Sequence, residues 1–260
     1  MITINGVLFK AEYFPDSTLR LNCEVTKPDV EIEWVFENNE EMVSLYFLVN
    51  HLRRVYKVNK LTLNMPYIPN ARMDRVKKNN EVFTLKYFCE FINDLKFDSV
   101  RVRDAHSNVS LALLNNVISE NIQPSIQALV QKLLINENDL VFFPDEGSCK
   151  RYSDFINKKC VFGIKKRDWH TGKILGLDVV GDVPNSEFNA LIIDDISSYG
   201  GTFYHSAMKL RELGANKIWL YVTHCENSIL DGDLIKSGLI NKIYTTNSIF
   251  TKEHELIEII

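Results

Sequence analysis

The segment Leu191-Ile192-Ile193-Asp194-Asp195-Ile196-Ser197-Ser198-Tyr199-Gly200-Gly201-Thr202 constrains the fold more than any other part of the chain. An apolar run ends in two adjacent carboxylates, passes a short polar turn and closes on Gly-Gly-Thr. Phe203 to Leu213 then carries helical spacing, with Gly214 as the C-terminal stop, and Ile218 to Val222 reads as a second strand. The glycines let backbone N–H groups converge, and the helix N-terminus adds the positive end of its dipole, so the corner suits a phosphate. The acidic pair repels phosphate, which leaves sugar hydroxyls or a divalent metal as its partners. A phosphate beside a polyol is a sugar phosphate. Each part also has a plainer reading: paired Asp residues cap helices, and Gly-Gly is often only a turn. The complete assembly, with Thr202 opening a helix, is what points to a ligand.

The rest of the chain alternates in the same way. Apolar alternation at Gly6 to Phe14, Leu19 to Val25 and Val30 to Val35 suggests an opening set of strands. Helical spacing predicts helices over Glu40 to Tyr56, Glu81 to Leu95 and Pro124 to Leu134. Strands are expected at Leu61 to Met65, Ser99 to Val102, Leu140 to Phe143, Cys160 to Ile164 and Asn189 to Ile193. Strands alternating with helices argue for an α/β protein with mostly parallel sheets and helices on both faces. At 260 residues there is room for two such layers. The polar stretch Asn136 to Asp139 is the expected joint, giving domains 1–135 and 136–260.

Composition narrows the classes. Hydrophobic content of 45% is ample for a core, yet no segment has the uninterrupted apolar length of a membrane span, and Met1 to Lys10 lacks the pattern of a signal peptide. The five cysteines are scattered without CxxC spacing, so neither a zinc site nor a disulfide framework is suggested, and a reducing cytoplasm fits. With 30 basic and 34 acidic residues the net charge is −4, which gives no reason to expect nucleic-acid binding.

Further polar clusters follow the expected strands, where open parallel sheets gather their ligands. They are Pro66-Tyr67-Ile68-Pro69-Asn70-Ala71-Arg72-Met73-Asp74-Arg75; Arg103-Asp104-Ala105-His106-Ser107; and Pro144-Asp145-Glu146-Gly147 with Lys150-Arg151. Next come Lys165-Lys166-Arg167, leading into a loop with Gly172 and Gly176, then Gly181-Asp182-Val183, and finally Thr223-His224. In this order the clusters resemble those of the ribose-phosphate pyrophosphokinases, or phosphoribosyl pyrophosphate synthetases, over roughly Leu61 to Asn247.

The resemblance implies two phosphoribosyltransferase-like α/β domains and transfer of the diphosphoryl group of ATP to the C1 hydroxyl of ribose 5-phosphate. Mg2+ would be the cofactor and a homo-oligomer the assembly. It implies His106 and Asp145 as magnesium ligands, one from each half, and Phe14, Asp16, Arg72, Asp74 and His106 at ATP. Lys165 and Arg167 become the catalytic cations, at the start of a loop that closes over the phosphates. Asp194, Asp195, Ser197, Ser198, Gly200, Gly201, Thr202 and His224 become the ribose 5-phosphate site.

The chain departs from the family in places. It resembles an N-terminally shortened member, and Thr18 stands where the family has Glu in the segment holding Phe14 and Asp16. Met73 replaces Gln, Ser198 replaces an acidic residue, and Cys225 replaces the Gly after His224. Two other readings share the fold: a phosphoribosyltransferase that consumes phosphoribosyl pyrophosphate, and a non-catalytic regulatory subunit.

Overall fold

The computed structural model describes the backbone of residues 1–167 and 174–260, with their side chains except at 165–167, 174 and 175. Contacts divide it into two compact units, Met1–Asn121 and Ile122–Ile260.

The first unit opens with the hairpin β1 (Ile2–Ile4) and β2 (Val7–Phe9), then a separate two-stranded ribbon of β3 (Ala11–Tyr13) and β4 (Leu19–Leu21). There follow β5 (Asp29–Trp34), α1 (Glu40–His51) running into a π-helical turn at Leu52–Tyr56, β6 (Lys60–Asn64) and α2 (Thr84–Asp94). The unit closes with β7 (Ser99–Arg103), α3 (Asn108–Leu113) and β8 (Val117–Glu120). Its six-stranded sheet has the order β2-β1-β5-β6-β7-β8, parallel from β5 to β8 and antiparallel at β1 and β2.

Because β5 to β8 advance in one direction, right-handed crossovers put their helices on one side. Burial agrees: Val30, Ile32 and Trp34 share a core with Leu45 and Leu48 of α1 and Leu85, Phe88 and Ile92 of α2. The alternate positions on the other side carry charge, with Arg101 paired to Glu31 at 3.1 Å and Arg103 to Glu120 at 2.6 Å. The expectation of helices on both faces is thus corrected for this unit.

The second unit comprises α4 (Gln123–Leu133), β9 (Leu140–Phe143), α5 (Glu146–Tyr152), β10 (Lys159–Arg167), β11 (Ile174–Val180) and β12 (Phe188–Ser197). It continues through α6 (Gly201–Glu212), β13 (Ala215–Cys225), α7 (Asp233–Lys236), β14 (Lys242–Thr245) and β15 (Ile257–Ile259). The sheet order is β11-β10-β9-β12-β13-β14-β15, parallel except at the β10–β11 hairpin.

Here the chain leaves β9 in one direction for β10, and leaves β12 in the other for β13. Crossovers of one hand therefore place α5 and α6 on opposite faces. One face buries Phe203, Ala207 and Leu210 of α6 against Ala190, Ile192, Leu220 and Val222. The other buries Tyr152 of α5 and Ile126, Leu129 and Val130 of α4 against Val141, Phe143, Leu191 and Ile193. Helix α4 covers the second sheet, so the units part before it, whereas the sequence placed the joint after it at residues 135–136. No helix among the described residues is long and apolar enough to cross a membrane.

Candidate active site

The strand order of the second unit reverses between β9 and β12. Such a switch point opens a crevice at the carboxyl ends of the strands, where α/β sheets bind ligands. Asp145 follows β9, Lys165 to Arg167 end β10, Asp194 and Asp195 lie near the end of β12, and His224 lies near the end of β13. Seven residues from four separate clusters thus share one edge of one sheet.

Asp145 is the N-cap of α5. Its Oδ1 accepts from Gly147 N at 3.0 Å and Ser148 N at 3.1 Å. This arrangement satisfies two amides of the first helical turn and fixes the carboxylate at the strand end.

Asp194 and Asp195 lie inside β12, whose expected end was Ile193. The strand extends past Ile193 because Asp194 pairs in register with Val222 and Ser197 with Cys225. Asp194 ionises well above the ordinary carboxylate range. Burial is the largest cause, followed by the charge of Asp195, a hydrogen bond between the two carboxyls and the charge of Asp145. Arg151 Nη1 stands 3.7 Å from Asp195 Oδ2, with the guanidinium 5.8 Å from the Tyr152 ring centroid. Arg151 thus places a cation beside the second carboxylate of the pair. Arg151 was named in the sequence only as the end of Lys150-Arg151, and its partnership with Asp195 needs the fold.

Past the acidic pair, Ser197 is buried and its Oγ donates to Ser198 O at 3.2 Å. Gly200 takes φ +78° as the N-cap of α6, and no side chain caps the helix. Among the described residues, the first-turn amides of α6 therefore have neither intrahelical acceptors nor a side-chain cap, as an anion site needs. Gly201 has open space where a Cβ would stand, and Thr202 is half-buried in the first turn. The helix begins at Gly201, two residues ahead of the expected Phe203. Gly232 escaped the sequence reading: a Cβ there would come 1.8 Å from Tyr199 O, so the loop before α7 braces the corner through bare backbone.

His224 is 2% exposed and its Nδ1 lies 2.8 Å from Ser248 Oγ. Cys225 is fully buried, and burial pushes its thiol up to about 12, so it is an inert packing group.

Lys165, Lys166 and Arg167 were expected to begin a loop. Instead they extend β10, in register with Leu177, Gly176 and Ile174 of β11, with a register shift between Lys166 and Arg167. Gly176 accordingly lies in a strand. Gly172, the other glycine assigned to that loop, lies outside the described residues.

In the first unit, the clusters holding Arg72 and Asp74 and holding His106 follow adjacent strands, β6 and β7. Met65 N donates to Arg101 O at 2.8 Å and Arg103 N to Pro66 O at 2.9 Å, so the two loops leave the sheet side by side. Arg72 is exposed and Asp74 half-buried, with Arg75 Nε 3.9 Å from Asp74 Oδ1. Asp104 is buried with φ +42°, a strained turn that leads into His106.

Phe14 and Asp16 sit between β3 and β4, and Phe14 is exposed. Asp16 Oδ1 accepts from Thr18 Oγ1 at 2.7 Å and Thr18 N at 3.0 Å. The Thr18 hydroxyl bond, then its amide bond, holds the Asp16 carboxyl below the ordinary range. The residue that departs from the family therefore rigidifies the turn that carries Asp16.

A magnesium ion fits this donor chemistry. At the carboxyl edge the charges of Asp195 and Asp145 both disfavour ionisation of Asp194, a conflict that a cation relieves. No group of three or more His, Cys, Asp or Glu side chains that could hold a metal occurs among the described residues. Magnesium commonly takes one or two carboxylates and completes its shell with water and phosphate oxygens.

The fold is α/β, with two mostly parallel sheets flanked by helices. A family model described as "phosphoribosyl synthetase-associated domain" matches residues 170–258. The chain is 28% identical over 260 residues to a ribose-phosphate pyrophosphokinase of Pyrococcus abyssi, covering 96% of this chain and 88% of that protein. It is 26% identical over 222 residues to the chloroplastic ribose-phosphate pyrophosphokinase 2 of Oryza sativa subsp. japonica. That match covers 84% of this chain but spans only 55% of the rice protein's length. A crystal structure of phosphoribosylpyrophosphate synthetase from Mycobacterium smegmatis superposes with a TM-score of 0.81 at 19% identity, covering 97% of this chain and 85% of that one, and establishes the shared fold. The chain is similar to ribose-phosphate pyrophosphokinases, as its motifs led us to expect.

Proposed function

We propose that this protein transfers the diphosphoryl group of ATP to the C1 hydroxyl of ribose 5-phosphate, forming phosphoribosyl pyrophosphate and AMP. The observation that carries the proposal is the placement of Asp145, Asp194, Asp195 and His224 around one topological switch point, beside an uncapped helix N-terminus. The names of the relatives supply the reaction.

In this reading the amides around Gly200, Gly201 and Thr202 receive the 5-phosphate, with Ser197 and Ser198 shaping the corner. The Asp195 carboxylate accepts a ribose hydroxyl, beside Asp194, whose ionisation is disfavoured by burial and the neighbouring carboxylates. The sugar is thereby fixed at both ends, so C1 oxygen meets ATP in one orientation. That oxygen attacks the β-phosphorus, the bond to the α,β-bridging oxygen breaks, AMP leaves with the bridging oxygen, and the hydroxyl proton is released. Lys165 and Arg167 offer positive charge to the group in flight. Phe14, Asp16, Arg72, Asp74 and His106 are assigned to ATP on the first unit. Asp145 and His106 are assigned to magnesium on the resemblance of the motifs, and the ion would supply charge neutralisation at the phosphates.

We place the reaction in the cytoplasm, on the scattered cysteines without CxxC spacing, and the working form in a homo-oligomer, on the resemblance of the motifs. The test is AMP release by purified protein given ATP, magnesium and ribose 5-phosphate, beside a Lys165→Ala variant. Sugar-dependent AMP without ADP, lost in the variant, supports the proposal. Ribose 5-phosphate binding with no AMP would instead favour a regulatory subunit.

A further inference from the structure

We propose that Ser248 is a positioning residue that fixes the tautomer and ring plane of His224. Ser248 follows β14 and is fully buried. Its Oγ stands 2.8 Å from His224 Nδ1 and 3.1 Å from the Thr223 carbonyl oxygen. A hydroxyl has one hydrogen, and a carbonyl oxygen only accepts. The Ser248 proton therefore goes to Thr223 O, and Ser248 Oγ must accept from His224, which puts the imidazole proton on Nδ1. The reverse arrangement would face two oxygen lone pairs across 3.1 Å in a buried site.

Thr246 Oγ1 also donates to Thr223 O, at 2.8 Å, and Thr246 N does so at 3.4 Å. The carbonyl is thus held from the same loop that delivers Ser248. His224 itself lies beside Ile196 in the sheet register, next to the Asp194–Thr202 corner. Ser248 thereby sets which tautomer of His224 is presented there: with Nδ1 a donor to Ser248, any change in the ring's protonation falls on Nε2.

The test is nitrogen NMR of the full chain labelled with 15N-histidine, at about pH 8, above the ordinary histidine range near 6.5. His224→Gln assigns the resonance. A pyrrole-type Nδ1 and pyridine-type Nε2 are expected for the native protein. Ser248→Ala is expected to shift His224 to a tautomer mixture, and Ser248→Thr, which keeps the hydroxyl, to restore the Nδ1–H form. A native protein with the proton on Nε2 overturns the proposal, as does an unchanged tautomer in folded Ser248→Ala. This readout needs no turnover, so it fails separately from the diphosphotransferase reading. On that reading, Ser248→Ala also raises KM for ribose 5-phosphate about fivefold, with recovery in Ser248→Thr.

Discussion

The raised pKa of Asp194 couples stability to pH. Its carboxyl ionises well above the usual range because burial and two neighbouring carboxylates oppose its charge. In the unfolded chain the same group ionises near about 3.9. Since the folded pKa is the higher one, the stabilising contribution is complete below the unfolded value and is lost as pH rises through the folded value. Asp194→Asn removes that loss and keeps a hydrogen-bonding side chain beside Asp195. At about pH 8 the variant is expected to gain about 1 kcal/mol, or about 2–4 °C in Tm, with no gain near about pH 3. An equal gain at both values by calorimetry would contradict the shifted carboxyl. Asp145 carries two roles that substitution separates. Asp145→Ala is expected to lose about 1 kcal/mol with its helix cap, whereas Asp145→Asn keeps the cap and loses magnesium-dependent activity. Thermal melts beside activity assays decide this.

Among the elements, the corner between β12 and α6 bears the most backbone constraint. Gly200 holds a left-handed conformation with Leu234 atoms 3.1 Å from its missing Cβ, while Gly214, at φ +95°, has open space around it. Alanine at either position costs about 1–2 kcal/mol of left-handed strain. Gly200→Ala is expected also to lose ribose 5-phosphate binding, and Gly214→Ala to keep it, as titration calorimetry would read. Much of this element was legible in the sequence, because an apolar run, two carboxylates and Gly-Gly-Thr obey local rules. What local rules left out were partners distant in sequence: Arg151 at Asp195, Gly232 under Tyr199, and Ser248 behind His224. The run Lys165 to Arg167 was read as the start of a loop because charge imitates solvent exposure, yet β11 pairs with it and draws it into the sheet. The short strands β8, β14 and β15 also escaped, since three or four residues carry too little periodicity to register.

At the scale of the whole molecule, the alternation of strands and helices specified two α/β units, but strand order decided which faces the helices cover. The boundary depends on α4, whose Ile126, Leu129 and Val130 close one face of the second sheet. A fragment of residues 122–260 is expected to unfold cooperatively. Removing 122–135 should cost more than about 4 kcal/mol, because three buried aliphatic side chains leave the core. Equal denaturant midpoints for the two fragments would contradict that boundary.

The functional account rests on diphosphoryl rather than phosphoryl transfer, and phosphorus NMR of the complete reaction separates them. With ATP, magnesium and ribose 5-phosphate, a diphosphate attached to C1 should appear in step with AMP. Ribose 1,5-bisphosphate appearing with ADP would contradict the account at its centre.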